Sequence, residues 1–222
     1  MIGRPTINRR GLILGCGATL LARRTLAQPL PVPAGRSLAF DVIRKGSVIG
    51  VHRLTFDGDD RNVTVKVAVD LHVGLGPIVL FRYRHRAAEV WKEGRLDALD
   101  TETDNDGREC KVTGRRIDAG FVVEGSGAPR YVAPENALPA THWNRRMLDG
   151  PLINTQDGRL MQPEVKPLGI EPIPSASGAP IEARHFALSG VVTLDTWYDL
   201  NAAWAGVRFQ AADRSEVRYE RL

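Results

Sequence analysis

Between Asn62 and Val73 the chain alternates with a period of two. Val63, Val65, Val67, Val69, Leu71 and Val73 fall on one side, and Asn62, Thr64, Lys66, Ala68, Asp70 and His72 on the other. A helix would scatter these residues round its circumference, whereas a pleated strand sends successive side chains to opposite faces. The stretch is therefore a strand with one buried face, and it must find partner strands, because a lone ribbon satisfies neither its backbone nor its apolar side.

The same pattern extends in both directions. Leu38 to Lys45 and Val48 to Phe56 read as strands joined around Lys45-Gly46-Ser47, and Asp57-Gly58-Asp59-Asp60 turns the chain into the alternating strand. Val79 to Trp91 and Arg95 to Thr103 flank Lys92-Glu93-Gly94; Asn105-Asp106-Gly107 leads into Arg108 to Thr113, and Gly120 to Glu124 follows. From Ala128 to Asp149 the alternation lapses, and Pro134 to Leu148 has room for one or two short helices with Thr141 as a cap. Pro163, Pro167, Pro172 and Pro174 confine Leu160 to Gly178 to edge pairing and a long loop. Ala183 to Thr196, Ala203 to Gln210 and Glu216 to Leu222 return to strands. With no long 3.6-residue period and no βαβ series, the expected fold is mainly β. Its form is an antiparallel meander curled into an open barrel or β-roll, since ten or so strands are too many for a flat sheet.

The first 27 residues follow a different rule. Asn8-Arg9-Arg10-Gly11-Leu12-Ile13-Leu14 opens an apolar run ending at Ala22, and Thr25-Leu26-Ala27 offers small residues for a signal peptidase. The run is about twelve residues, against the roughly 20 that a membrane-spanning helix needs. It reads as a twin-arginine export signal cut after Ala27, with export to the periplasm and lipid anchoring at Cys16 as the alternative. A loose, flexible proline-rich leader, 28–36, then precedes a single β-rich domain, 37–222. The signal carries five arginines and no acid, so its removal takes the formal net charge from +4 to −1. That balance argues against a nucleic-acid partner, which requires concentrated positive charge. Cys16 leaves with the signal, and Cys110 has no internal disulfide partner.

No residue pattern nominates a reaction, a metal site or a cofactor. His52, His72, His85, His142 and His185 show no metal-ligand spacing, and His85 and Glu89 share a strand face about 13 Å apart. Glu102 to Gly107 resembles a calcium loop, but Thr113 stands where the closing Glu belongs. Cys110 reads as a small buried apolar residue, and Ser126 as part of a turn.

Two features suggest binding. On the strand ending at Trp91, Phe81, Tyr83, His85, Ala87, Glu89 and Trp91 share one face and Arg82, Arg84 and Arg86 the other. That arginine row suits anions, or pairs with Glu102 and Asp104 on the next strand. Trp197, Tyr198 and Trp204 sit around a hairpin and, with Trp91, are the expected lining of an apolar ligand site.

Phe40-Asp41-Val42 with Gly46-Ser47-Val48-Ile49-Gly50, Tyr83-Arg84-His85 with Glu89-Val90-Trp91, and Thr196-Trp197-Tyr198-Asp199 together resemble an uncharacterised family of exported proteobacterial proteins with a domain of unknown function. The resemblance spans most of the chain after the signal and implies a β-rich fold and an exported location. More remotely, the pattern resembles the periplasmic lipoprotein-carrier group, whose curved sheet holds acyl chains. The function expected is a non-enzymatic periplasmic binding or carrier protein for an apolar or lipid-like ligand. A structural or assembly partner of another envelope protein is second and a hydrolase third. During export the twin-arginine translocase is the expected partner.

N-terminal sequencing of the exported protein is expected to start at Gln28, and Lys at both Arg9 and Arg10 is expected to reduce export sharply. Undiminished export from cells lacking the twin-arginine translocase would overturn this routing.

Overall fold

The computed structural model describes residues 29–75 and 78–222. Arg9, Arg10, Cys16 and Ala27 of the expected export signal lie outside the described residues. Eight strands form the first part of a long antiparallel succession: β1 (Ser37–Arg44), β2 (Ser47–Gly58), β3 (Val63–Leu75), β4 (Ile78–Lys92), β5 (Arg95–Asn105), β6 (Arg108–Ile117), β7 (Gly120–Gly125) and β8 (Ala128–Ala133). Three two-residue strands follow, β9 (Leu138–Pro139), β10 (Leu152–Ile153) and β11 (Leu160–Met161), with a 3-10 turn at Arg145–Asp149 between the first two. The chain finishes with β12 (Glu164–Ile173), β13 (Ile181–Ser189), β14 (Leu194–Asp199), β15 (Trp204–Gln210) and β16 (Glu216–Arg221).

Thirteen of these strands make one sheet in the order β12-β13-β14-β15-β16-β1-β2-β3-β4-β5-β6-β7-β8. The two ends of the chain meet in it where β1 pairs with β16, with Phe40 opposite Arg221 and Val42 opposite Tyr219. Two meanders, one from each end of the chain, are thereby joined. The sheet stays open, with β12 and β8 as its edges. Proline marks both: Pro129 in β8, and Pro167 and Pro172 in β12, where the register shifts between Pro167 and Gly169. A residue without an N–H is tolerated where no further strand needs it.

The period-two reading of β3 holds. Val63, Val65, Val67 and Val69 are buried, while Lys66 and His72 are exposed. Several other expectations are corrected. Ala128–Ala133 is a strand, hidden from pattern reading by its proline. The stretch expected as one strand from Ala183 to Thr196 is two, because the chain reverses at Gly190 with φ +89°. Among the described residues the helical content is one 3-10 turn, capped by Asn144 instead of Thr141, with the Asn144 side chain accepting from the Arg146 amide. The leader is not loose throughout. Leu30 is buried in the main core, and its amide donates to the Asp60 carbonyl at 2.7 Å.

The sheet is curled, and one segment shows it. Thr141 bonds Glu89 on β4, and the carbonyl of the adjacent His142 accepts from Tyr198 on β14 at 2.8 Å. Six strand steps separate β14 from β4, about 29 Å in a flat sheet. Neighbouring residues reach both strands because the sheet wraps round them. Residues 134–161 therefore form an inner segment on the concave face. Further along it, Thr101 of β5 donates to the Thr155 carbonyl at 2.6 Å and Tyr131 of β8 to the Gly158 carbonyl at 2.8 Å. At Gly125 the inner segment comes so close that a Cβ would overlap the Asp157 carbonyl, which only glycine permits. Trp143 packs edge-on to Trp91 and Phe56, with ring centroids 5.4 and 5.3 Å away. Aromatic side chains of this size supply much of the apolar burial that a curled single sheet needs.

Val65→Asp is expected to lower stability by several kcal/mol, because the carboxylate would enter the core unpaired. Ala68→Asp on the opposite face, whose register partners are Arg53 and Arg86, is expected to be nearly neutral. Urea denaturation compares the two, and equal losses would contradict the assigned faces.

Candidate functional site

The inner segment fills only part of the concavity. Towards the end of the sheet that carries the β1–β2, β5–β6, β13–β14 and β15–β16 turns, a cavity of about 560 Å³ remains. Its volume falls within the range of small-molecule sites. The walls are chiefly aliphatic and aromatic: Val67, Val69, Leu71 and Val73 of β3, Phe81 of β4, and Val207 and Phe209 of β15. The valine alternation thus does two things. Its deeper members pack in the core, and from Val67 outward the same face looks into open space.

Polar groups occur at two levels. Asn105, Gln156, Thr193 and Gln210 are exposed residues of the rim. Arg44 also belongs to the lining, but its guanidinium is held by Asp213 at 2.8 Å and its Nε donates to Ser215 at 2.7 Å. Deeper lie His52, His85, Tyr83 and Tyr219, with His142 reaching in from the inner segment. His85 Nδ1 is 2.8 Å from Thr103 Oγ1. Both ring nitrogens of His52 and Nδ1 of His142 are buried without a partner among the described residues.

Burial keeps these imidazoles neutral. It pushes His52 down to about 3, helped by His142 and His85, and pushes His85 and His142 down to about 4. The Tyr83 and Tyr219 phenols are displaced upward, also by burial. The deep part of the cavity is therefore uncharged at neutral pH.

The expected tryptophan lining does not coincide with this space. Trp91 is buried beside Glu89 and Trp143, below the cavity. Trp204 is fully buried one layer behind the wall, stacked on His142 at 5.0 Å and packed against His52 at 5.1 Å. Tyr198 is buried with its hydroxyl on the His142 carbonyl. Trp197, its neighbour, points to the convex face. There its indole donates to Glu171 at 2.8 Å and stacks on His185, which bridges Glu171 and Asp195. The four aromatic residues are thus divided between two faces. Together they support the wall from behind or lie outside it.

Arg82, Arg84 and Arg86 share the outer face, as parity requires. Arg84 and Arg86 pair not with the expected Glu102 or Asp104 on β5 but with Asp70 on β3. Arg86 contacts both Asp70 oxygens at 2.8 Å, and Arg84 Nε is 3.6 Å from one of them. Glu102 is taken by Lys111. Two exposed arginines sharing one aspartate make a surface network of modest energetic weight. Cys110 is half-buried on β6, not a closed core position.

The sequence put Glu89 on the strand face shared with Phe81, Tyr83, His85, Ala87 and Trp91 but supplied no partners for it. In the folded chain its Oε2 accepts from the indoles of Trp91 at 2.8 Å and Trp143 at 3.0 Å, and its Oε1 from the Thr141 hydroxyl at 2.6 Å. Burial pushes its pKa up, against the three hydrogen bonds, which favour the ionised form. The only legible signal was an acid among apolar side chains of one parity; Thr141 and Trp143 lie more than fifty residues downstream.

These features define an open, barrel-like antiparallel β-protein with an apolar internal cavity. The chain belongs to the family described as a domain of unknown function, DUF6134, whose pattern matches residues 40–222. Its fold is similar to the crystal structure of a β-barrel-like protein of domain of unknown function DUF1849 from Brucella abortus. The TM-score is 0.58 at 11% sequence identity, covering 84% of this chain and 94% of that one. No curated protein matches the chain in sequence.

Glu89→Leu is expected to cost about 3 kcal/mol or more, since it strands three buried donors. Glu89→Gln retains acceptors for the indoles and a donor for Thr141, and should lose much less. Because the Glu89 pKa is raised on folding, its contribution is complete below the ordinary carboxylate range and declines as pH rises towards the raised value. The wild type should therefore lose stability relative to Glu89→Gln as pH rises above about 4.5. Urea midpoints measured across pH check both statements.

Proposed function

We propose that this protein is a non-enzymatic binding or carrier protein for an apolar or lipid-like ligand, acting in the periplasm after twin-arginine export. One observation carries the reading: a cavity of about 560 Å³ bounded mainly by valine, leucine and phenylalanine side chains, at one end of a curled sheet. Apolar walls left in contact with water forgo roughly 25 cal/mol for each Å² that an apolar ligand would cover. Occupation by such a ligand recovers that term. The location rests on the Arg9-Arg10 motif and the Ala27 cleavage pattern.

The envelope-partner reading draws support from Leu168 and Ile170, exposed on edge strand β12. The prolines of that strand remove backbone donors, so the edge is a poor template for strand addition. The cavity is the better-supported site.

The test is native mass spectrometry of protein taken from its own periplasm, with titration of the apolar fluorophore N-phenylnaphthylamine. Retained lipid and micromolar fluorophore binding are expected. Val73→Trp, which fills the mouth of the cavity from a half-buried position on the β3 wall, is expected to abolish binding while leaving the urea midpoint near that of the wild type. Absence of both retained lipid and fluorophore binding would refute the carrier function.

A further inference from the structure

The polar groups deep in the cavity are ordered by the strand register. On β4, moving inward from the open end, the lining residues are Phe81, Tyr83 and His85; on β16 they are Val217 and Tyr219. Tyr83, Leu71 and Gly50 form one cross-strand row over β4, β3 and β2, and His85, Val69 and His52 form the next row inward. Tyr219 approaches from the other side, with its ring centroid 5.6 Å from that of His52. An apolar collar of Val73, Phe81, Phe209 and Val217 therefore precedes a polar shelf of two tyrosines and two histidines.

The shelf is unsatisfied and uncharged. Both ring nitrogens of His52 are buried without a partner among the described residues, and the half-buried Tyr83 and Tyr219 line the same space. Buried polar groups are normally paired, because leaving one unmade costs about 1–3 kcal/mol. Among the described residues the one lining guanidinium is Arg44, already held by Asp213. An anionic headgroup brought to this depth would meet hydrogen-bond donors but no free cation among the described residues, and burying such a charge is far costlier than burying a neutral polar group.

Building on the carrier reading, we propose that the ligand is a neutral amphiphile, with a hydroxyl or un-ionised carbonyl group. It enters polar end first and hydrogen-bonds to Tyr83, Tyr219 and the His85–His52 row, its apolar tail lying in the collar. Ionised lipids are excluded from the shelf. The tail leads towards Val48, Leu80 and Val191, which are exposed residues near the turns at that end of the sheet.

Dodecanol and dodecanoic acid distinguish this selectivity from apolar binding in general. Displacement of N-phenylnaphthylamine is measured from pH 5 to pH 8 on the wild type and on Tyr83→Phe and Tyr219→Phe. Dodecanol affinity is expected to be flat with pH. Dodecanoic acid affinity is expected to fall about tenfold per pH unit once the free acid ionises, because only its protonated form is accepted. Each Tyr→Phe change is expected to weaken dodecanol about 2- to 10-fold, the worth of one hydrogen bond, and to affect fluorophore affinity less. Dodecanoate bound at pH 8 as tightly as dodecanol, or dodecanol affinity indifferent to both Tyr→Phe changes, would overturn neutral-ligand selectivity and leave the carrier reading standing. Failure of the fluorophore to bind, with no lipid retained in native mass spectrometry, would remove both.

Discussion

A single wide sheet has no second layer to pack against, so its apolar face must be covered from within. Here the cover is the inner segment, and its attachment at Glu89 is the contact on which the arrangement rests. Two indoles and a threonine hydroxyl converge on one buried carboxyl group. Trp91 belongs to the sheet, whereas Thr141 and Trp143 belong to the inner segment, so the same atoms join wall and filling. Without an acceptor there, three donors would be buried unpaired, and the most stable alternative is to withdraw the inner segment.

Once the inner segment is fixed, its outer surface decides where space remains. His142 has φ +66°, an uncommon value for a residue with a Cβ, and is held there by the Tyr198 hydroxyl on its carbonyl and the Trp204 indole beneath its ring. Beyond His142 the filling stops and the valine face of β3 continues. The cavity is the difference in reach between a 13-residue strand and the shorter path of the inner segment. Stability and the candidate binding site thus share one boundary: Trp204 packs in the core while supporting His52 and His142, which face the ligand space.

The physical character of that space follows from its depth. Burial withholds charge from the histidines, and Arg44 is neutralised by an acid from the β15–β16 turn. What remains is an apolar chamber with neutral hydrogen-bonding groups at its base. Charge networks gather on the convex face, where Asp70 meets Arg84 and Arg86, and Asp195 joins His185 and Arg208. Sorting charge to the outside and neutral polarity to the inside follows from the period-two alternation of the strands, applied to a sheet whose two faces meet different media.

The sequence by itself determined most of the long strands and the parity of β3 and β4; it missed Ala128–Ala133 and merged β13 with β14. Alternation in β3 and β4 assigned Val63 to Val73 and Phe81 to Trp91 to a common buried face, because side-chain direction along a strand is local geometry. It could not assign a face to Trp197 or Tyr198. They are adjacent, so one must point inward, and which one does depends on the pairing of β14 with β15, where the register shifts between those two residues. Nor could it supply the partners of Glu89 or the meeting of Tyr83 with Tyr219, whose strands become neighbours round the cavity only after β1 pairs with β16 and the sheet curls. Local periodicity fixes which way a side chain points relative to its own backbone. Long-range pairing and curvature decide what it points at, and here they turned a valine-rich strand face into both a core and a chamber.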